Sequence, residues 1–206
     1  GKPRMAAPAM RSIKTPDGEY ASPYNNFVKK IGKVKPSLDP KMCGKVIDFL
    51  TDHIVTELKK RGVQELRSVP LDVAINGDPE DFYLRSMKMS TSGGWGWTGP
   101  KRQFVEPHPL PFKRDAVLPL YDVKSSVLQI LKDYEEGEAS FPVLGAQLKD
   151  EPRAYKKVVT ANTRVFSILS FPQNIVSKMV SAPLLKQIVA VLGVLGRSIG
   201  INIDST

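Results

Sequence analysis

Between positions 149 and 164 the chain reads Lys149-Asp150-Glu151-Pro152-Arg153-Ala154-Tyr155-Lys156-Lys157, followed by Asn162-Thr163-Arg164. Arg153, Lys156, Lys157 and Arg164 fall within one short strand-turn-strand, with Lys149 at its start. Held on a hairpin, these cations could converge on an anion of more than one charge, such as a nucleotide triphosphate. Arginine suits that task because its planar fork pairs two oxygens at once, whereas lysine acts as a point charge. Asp150 and Glu151 would position the cations rather than touch the ligand. The competing reading is a solvated charged turn.

A second stretch, Ser90-Thr91-Ser92-Gly93-Gly94-Trp95-Gly96-Trp97-Thr98-Gly99-Pro100, is a loop by composition. Its glycines let backbone approach a ligand closely, and Thr91 and Ser92 offer hydroxyls. Trp95 and Trp97 could stack on bases, with Lys101 and Arg102 adding charge beside them. Alternatively both tryptophans are packing residues that close a hydrophobic corner.

These loops need elements to hold them. Residues 1–40 carry Pro3, Pro8, Pro16, Gly18, Pro23, Pro36 and Pro40 with several basic residues, which predicts an extended arm lying on something else. Phe27, Val28 and Ile31 could anchor it. From Asp39 or Pro40, the residues Val46, Ile47, Leu50, Ile54, Val55 and Leu58 recur at helical spacing and end in Lys59-Lys60-Arg61-Gly62, as a helix C-terminus favours. A shorter helix is expected around Pro70–Ile75, closed by the turn Asn76-Gly77-Asp78-Pro79, and another over Asp122–Tyr134 with Val123, Val127, Leu128, Ile130 and Leu131 on its apolar face. The stretch around His108–Pro111 reads as a loop. Residues 141–148 and 157–169 read as strands bracketing the basic turn, the second ending apolar at Phe166, Ile168 and Leu169. A long apolar helix follows Pro172, interrupted near Pro183, until Gly193, Gly196 and Gly200 break the pattern.

The composition permits this chemistry without demanding it. The 206 residues carry 30 Lys plus Arg against 21 Asp plus Glu, a net charge of +9, which favours a polyanionic partner such as nucleic acid or an anionic membrane surface. Cys43 is the single cysteine, so an internal disulfide is impossible and a structural zinc site is disfavoured; it reads as a small buried side chain in a reducing compartment. The apolar run Ile188–Leu192 is far too short to span a bilayer.

Taken together, the two loops resemble motifs of the picornavirus-like RNA-dependent RNA polymerases. Ser-Thr-Ser-Gly-Gly-Trp at 90–95, with Lys101-Arg102 after it, is similar to their motif G. Leu148-Lys149-Asp150-Glu151 with Arg153, Lys157 and Thr163-Arg164 is similar to their motif F at the same spacing. The order of the two matches, as does Ala74-Ile75-Asn76-Gly77 before the first, and Ser198-Ile199-Gly200-Ile201-Asn202 imitates a turn that follows the second. Trp95 stands where Tyr is usual, and Asn162 where many relatives carry Lys; Lys156 is a candidate to compensate.

The resemblance implies an α+β fold: the fingers subdomain of a right-hand polymerase, mixed helices with a few strands, palm and thumb absent. It implies an N-terminal fingertip-like arm over residues 1–40 and a fingers region over 41–206, with the motif G-like loop at 90–102 and the motif F-like hairpin at 148–166. Lys149, Arg153, Lys156, Lys157 and Arg164 would bind the nucleotide triphosphate, Arg164 lying nearest the incoming nucleotide. Thr91, Ser92, Gly94, Trp95, Lys101 and Arg102 would guide template RNA. Gly1 would echo the terminus made by polyprotein cleavage. The implied partners are template RNA, nucleoside triphosphates, the palm and thumb, and viral replication proteins, at membrane-associated complexes in the host cytoplasm. Apolar surface on the helix over 172–192 would meet the palm.

Nucleotidyl transfer in this family uses two metal ions, Mg2+ or Mn2+, held by an Asp-x4-Asp stretch and a Gly-Asp-Asp-type turn. Neither occurs here, and the Gly77-Asp78 pair reads as a surface turn. The expectation is a piece of a larger enzyme, with no catalytic or metal residue and no cofactor of its own. The alternative is a non-enzymatic basic RNA-binding or membrane-associated accessory module. A hydrolase built on His53 or His108 is a poor third reading, since neither has a Ser or Cys partner motif.

Overall fold

Among the described residues eight short strands pair two by two and six helices supply the longer elements, an α+β arrangement. The computed structural model describes residues 5–33, 39–63, 65–110, 115–138 and 142–190. The glycines at 193, 196 and 200 and the turn at 198–202 lie outside them. Contacts divide the chain into two units, one built from residues 1–37 and 143–170, the other from 38–142 and 171–206. The basic hairpin therefore groups with the N-terminal segment, where the sequence reading put it with residues 41–206.

In the larger unit, α6 (Phe171–Ala190) packs on α3 (Leu71–Asn76) and α4 (Tyr121–Glu135). Phe171, Ile175, Val176 and Met179 share one face of α6 and are buried with Ala74, Ile75, Val123 and Val127. Burial of each large apolar side chain stabilises the unit by about 1.5–3 kcal/mol. The opposite side of α6 leaves Val180, Leu184 and Leu185 exposed. The break expected near Pro183 does not occur, and α6 runs through it. Proline has no N–H, so the Met179 carbonyl one turn earlier loses its helical donor. The backbone N–H of Val69 donates to that oxygen instead, at 3.0 Å.

Three further devices hold this unit together. The Asn76 side chain accepts from the Val117 N–H at 2.8 Å and donates to the Val117 carbonyl at 2.9 Å. It thereby satisfies the free edge of β5 (Val117–Pro119), whose other edge pairs with β4 (Val105–Pro107). Gly77 follows with φ 78°, and a Cβ there would lie 2.4 Å from the Ser86 backbone nitrogen, so only glycine allows the 77–86 turn to fold back. Lys186 then pairs with Asp81 at 2.7 Å, tying that turn to α6.

The helix α2 (Pro40–Lys60) matches its sequence signals, with Asp39 capping the Lys41 N–H and Gly62 (φ 78°) just beyond its C-terminus. Only Leu58 on it is buried; Val46, Ile47, Leu50 and Val55 are exposed, and Cys43 is half-buried rather than in a core. Among the described residues no helix is long and apolar enough to cross a membrane.

The smaller unit gives residues 5–33 more structure than an extended arm. Met5–Ala6 (β1) pairs antiparallel with Arg153–Ala154 (β7), and Ile13–Lys14 (β2) pairs with Tyr20–Ala21 (β3). Ser22 and Pro23 then start α1 (Pro23–Ile31), with Ser22 as the cap. Val28 and Ile31 are exposed and Phe27 is half-buried, so the expected anchors are not the main ones. Ala9, Pro23 and Asn26 hold the segment: Ala9 and Pro23 are buried, and the Ala9 carbonyl accepts from the Thr163 hydroxyl at 2.6 Å.

Candidate functional site

Leu148 and Val165 face each other at the end of the ribbon formed by β6 (Gly145–Leu148) and β8 (Val165–Ile168), and the Lys149 N–H continues the ladder onto the Arg164 carbonyl at 2.8 Å. The strand expected over 157–169 is shorter, because Tyr155–Val158 forms a helical turn, α5, and Ala161 takes a left-handed conformation at φ 49°. Phe166, expected at an apolar end, is exposed.

This geometry brings Lys149, Arg153 and Arg164 onto one carboxylate. Glu151 lies 2.8 Å from Lys149 Nζ, 3.4 Å from Arg153 Nη1 and 3.0 Å from Arg164 Nη1. The Lys149 hydrogen bond holds the Glu151 carboxyl below its ordinary value against the opposing effect of burial, with the charges of Arg164, Lys149 and Arg153 acting the same way as the hydrogen bond. Because the folded value is depressed, the stabilisation from this carboxylate is complete above the unfolded value and is lost as pH falls through the folded one.

Three cations on one anion leave positive charge uncompensated, and the arginine and lysine heads differ in access. The Arg153 side chain is 14% exposed, whereas those of Lys149 and Arg164 are 48% and 58% exposed. Arg153 also donates from Nη2 to the Asn162 carbonyl at 3.5 Å. Glu151 thus has the positioning contacts expected of it, while Asp150 is exposed and takes no part in these ion pairs. Lys156 and Lys157 stand on α5, exposed, with no carboxylate partner among the described residues.

The glycine loop of the larger unit is a closed turn. Gly93 donates to the Gly99 carbonyl at 2.8 Å, and Ser92 bridges Pro100. The two tryptophans separate: Trp97 packs edge-on against Phe104 at 5.1 Å beside the core, whereas Trp95 is 64% exposed. The Thr91 hydroxyl donates to the Lys88 carbonyl at 2.7 Å and accepts from Lys101 Nζ at 2.6 Å. Ser92 Oγ accepts from the Gly94 N–H at 3.1 Å. Lys101 is buried at 6% exposure, and burial pushes its ammonium below the usual lysine value. Its present work is to hold Thr91, and Arg102 is the exposed cation of the pair.

Gly93 is buried, and a Cβ there would meet the Trp97 carbonyl at 2.5 Å and Phe104 Cε2 at 2.9 Å. Gly93→Ala is therefore expected to destabilise the protein by about 1–3 kcal/mol and to shift the Trp97 fluorescence, as overpacking against backbone does. An unchanged melting temperature and spectrum would contradict this packing.

The histidines form no nucleophile pair: His53 stacks on Phe49 within α2 at 6.0 Å, and His108 Nδ1 accepts from the Leu110 N–H at 3.1 Å. Among the described residues no three His, Cys, Asp or Glu side chains gather so as to hold a metal ion. Sequence reasoning missed two contributors, Asn26 and Lys30 of α1. Asn26 Nδ2 donates to the carbonyls of Thr160 at 2.9 Å and Ala161 at 3.2 Å, and Lys30 Nζ donates to Asn162 Oδ1. The signal was present in the Ser22-Pro23 helix start and the Lys29-Lys30 finish.

No protein-family model matches the chain, and no curated protein matches it. Among solved structures, its fold is similar to that of a Sicinivirus 3Dpol RNA dependent RNA polymerase, with a TM-score of 0.54 at 20% sequence identity. The likeness covers 75% of this chain and 29% of that one, so the mixed α+β fold corresponds to part of an RNA-dependent RNA polymerase fold.

Proposed function

We propose that this chain is the fingers region of an RNA-directed RNA polymerase, in which the 148–166 segment receives the triphosphate of the incoming nucleotide and the 90–102 loop guides template RNA. The observation that carries the reading is the arrangement around Glu151. One carboxylate preorganises Lys149, Arg153 and Arg164, and two of the three heads remain accessible to a polyanion. Preorganised cations act on phosphate without reorganising at the moment of binding. The fold likeness to part of a viral polymerase supports the same reading.

In the glycine loop, exposed Trp95 would offer a stacking face and Arg102 a phosphate contact, with Thr91 and Lys101 keeping the turn in shape. Arg153, whose side chain is 14% exposed, would anchor, and Arg164 and Lys149 would meet the phosphates. Metal ions for the transfer step would be held by carboxylates in the remainder of the polymerase.

Binding of this chain to a fluorescent oligouridylate tests the reading. Contacts mainly to phosphate predict a loss of affinity of about tenfold or more between 50 and 200 mM salt, since each neutralised phosphate releases counterions. Affinity indifferent to salt would overturn a phosphate-directed mode.

A further inference from the structure

Lys30 is a cation held on a neutral amide beside other cations. Its Nζ donates to Asn162 Oδ1, while the backbone carbonyl of the same Asn162 accepts from Arg153. Among the described residues no carboxylate lies within ion-pair distance of Lys30, whose side chain is at the exposed C-terminal end of α1. One turn earlier Asn26 fixes α1 to the Thr160 and Ala161 carbonyls. Ala161 is fully buried in its left-handed conformation, so the 160–162 turn has one defined shape onto which α1 is fastened.

Lys30, Arg153, Arg164 and Lys149 thus form a connected set through Asn162 and Glu151, four cations against one carboxylate. The favourable interaction of Lys30 with the α1 C-terminus explains why a cation is tolerated there. It does not compensate the charge of the set. The Arg153 Nε donor is buried and finds no acceptor among the described residues, a further unused donor in the same set. The buried Nε stays out of reach of a ligand, and a polyphosphate would instead balance the uncompensated charge of the exposed heads.

We propose that Lys30 is a polyphosphate ligand of this site, supplied by the N-terminal helix and presented by Asn162. The inference rests on the triphosphate-binding reading above and adds a residue from a distant part of the sequence to it. An ammonium has three donors, and one spent on Asn162 leaves two for phosphate oxygens. Asn162 then acts as a positioning residue, and the N-terminal segment becomes part of the nucleotide site as well as a structural strap.

Calorimetric titration of sodium tripolyphosphate into the 206-residue chain tests this. Lys30→Met is expected to weaken binding about tenfold, the loss of one charge-assisted contact. Lys29→Met, one position away, should change it by less than about twofold. Asn162→Lys in the Lys30→Met background should recover most of the lost affinity, because it returns an ammonium to the same place. Equal affinities for wild type and Lys30→Met, with Arg164→Ala still weakening binding, would overturn the role of Lys30 and leave the proposed function standing. No binding by wild type, or none that responds to Arg164→Ala, would remove both.

Discussion

Arg164→Glu, introduced into the polymerase proposed above, is expected to abolish elongation while the fold survives. The Arg164 side chain is 58% exposed and its guanidinium sits 3.0 Å from Glu151. Reversal would place two carboxylates side by side and turn the set of cations from attractive to nearly neutral toward a triphosphate. Loss of one preorganised contact to a transferring phosphate group costs on the order of a hundredfold in rate, and reversal should cost more. Folding should be spared because the backbone role of residue 164, accepting from the Lys149 N–H at 2.8 Å, does not depend on its side chain. Substitution of an exposed side chain usually changes stability by no more than about 0.5 kcal/mol. Arg164→Lys should fall between, keeping a charge but losing the fork. Single-nucleotide addition and thermal melting read the two halves of the prediction. Normal elongation by the Glu variant would remove the polymerase assignment for this hairpin.

Phe171→Ala should produce the largest loss of stability of any single truncation considered. Phe171 is fully buried at the start of α6, packed with Ile75, Val123 and Val127 in the core of the larger unit. Truncating such a side chain removes its transfer energy and leaves a cavity, together about 3–5 kcal/mol. That lowers the melting temperature by on the order of 10 °C. Phe82→Ala is the comparison. Phe82 is 69% exposed and gains mainly from the Arg85 guanidinium 4.1 Å above its ring, so its loss should cost about 1 kcal/mol or less. Similar melting temperatures for the two variants would mean that α6 does not carry the core.

The contrast between the two phenylalanines also marks how far sequence reasoning reaches. Periodicity identified α2 and α4 and the apolar character of α6, because each of these long elements repeats its apolar residues every three to four positions, while the turn at 76–79 marked the end of α3. It could not say which apolar faces find a partner. Val46, Ile47 and Leu50 of α2 have the same helical spacing as Ile175, Val176 and Met179 of α6, yet only the second set is buried. Proline chemistry alone predicted a break at residue 183, and the Val69 N–H, more than a hundred positions away in sequence, removed the need for one.

The candidate site divides in the same way. Residue types and spacing determined that residues 149–164 concentrate cations around two acids and that residues 90–102 form a glycine-rich turn with aromatic and basic side chains. Charge type and backbone permissiveness are local properties, readable one residue at a time. Which cations share a carboxylate was decided by the β6–β8 register and the turn at Ala161, which bring Lys149, Arg153 and Arg164 to Glu151 and leave Lys156 and Lys157 on α5. Which tryptophan packs and which stays exposed was decided by the position of Phe104. The approach of Lys30 to Asn162 depended wholly on tertiary structure, since a hydrogen bond spanning 132 positions leaves no trace in local pattern. Such contacts arise when the chain folds back on itself, and their energy depends on distance in space rather than along the chain.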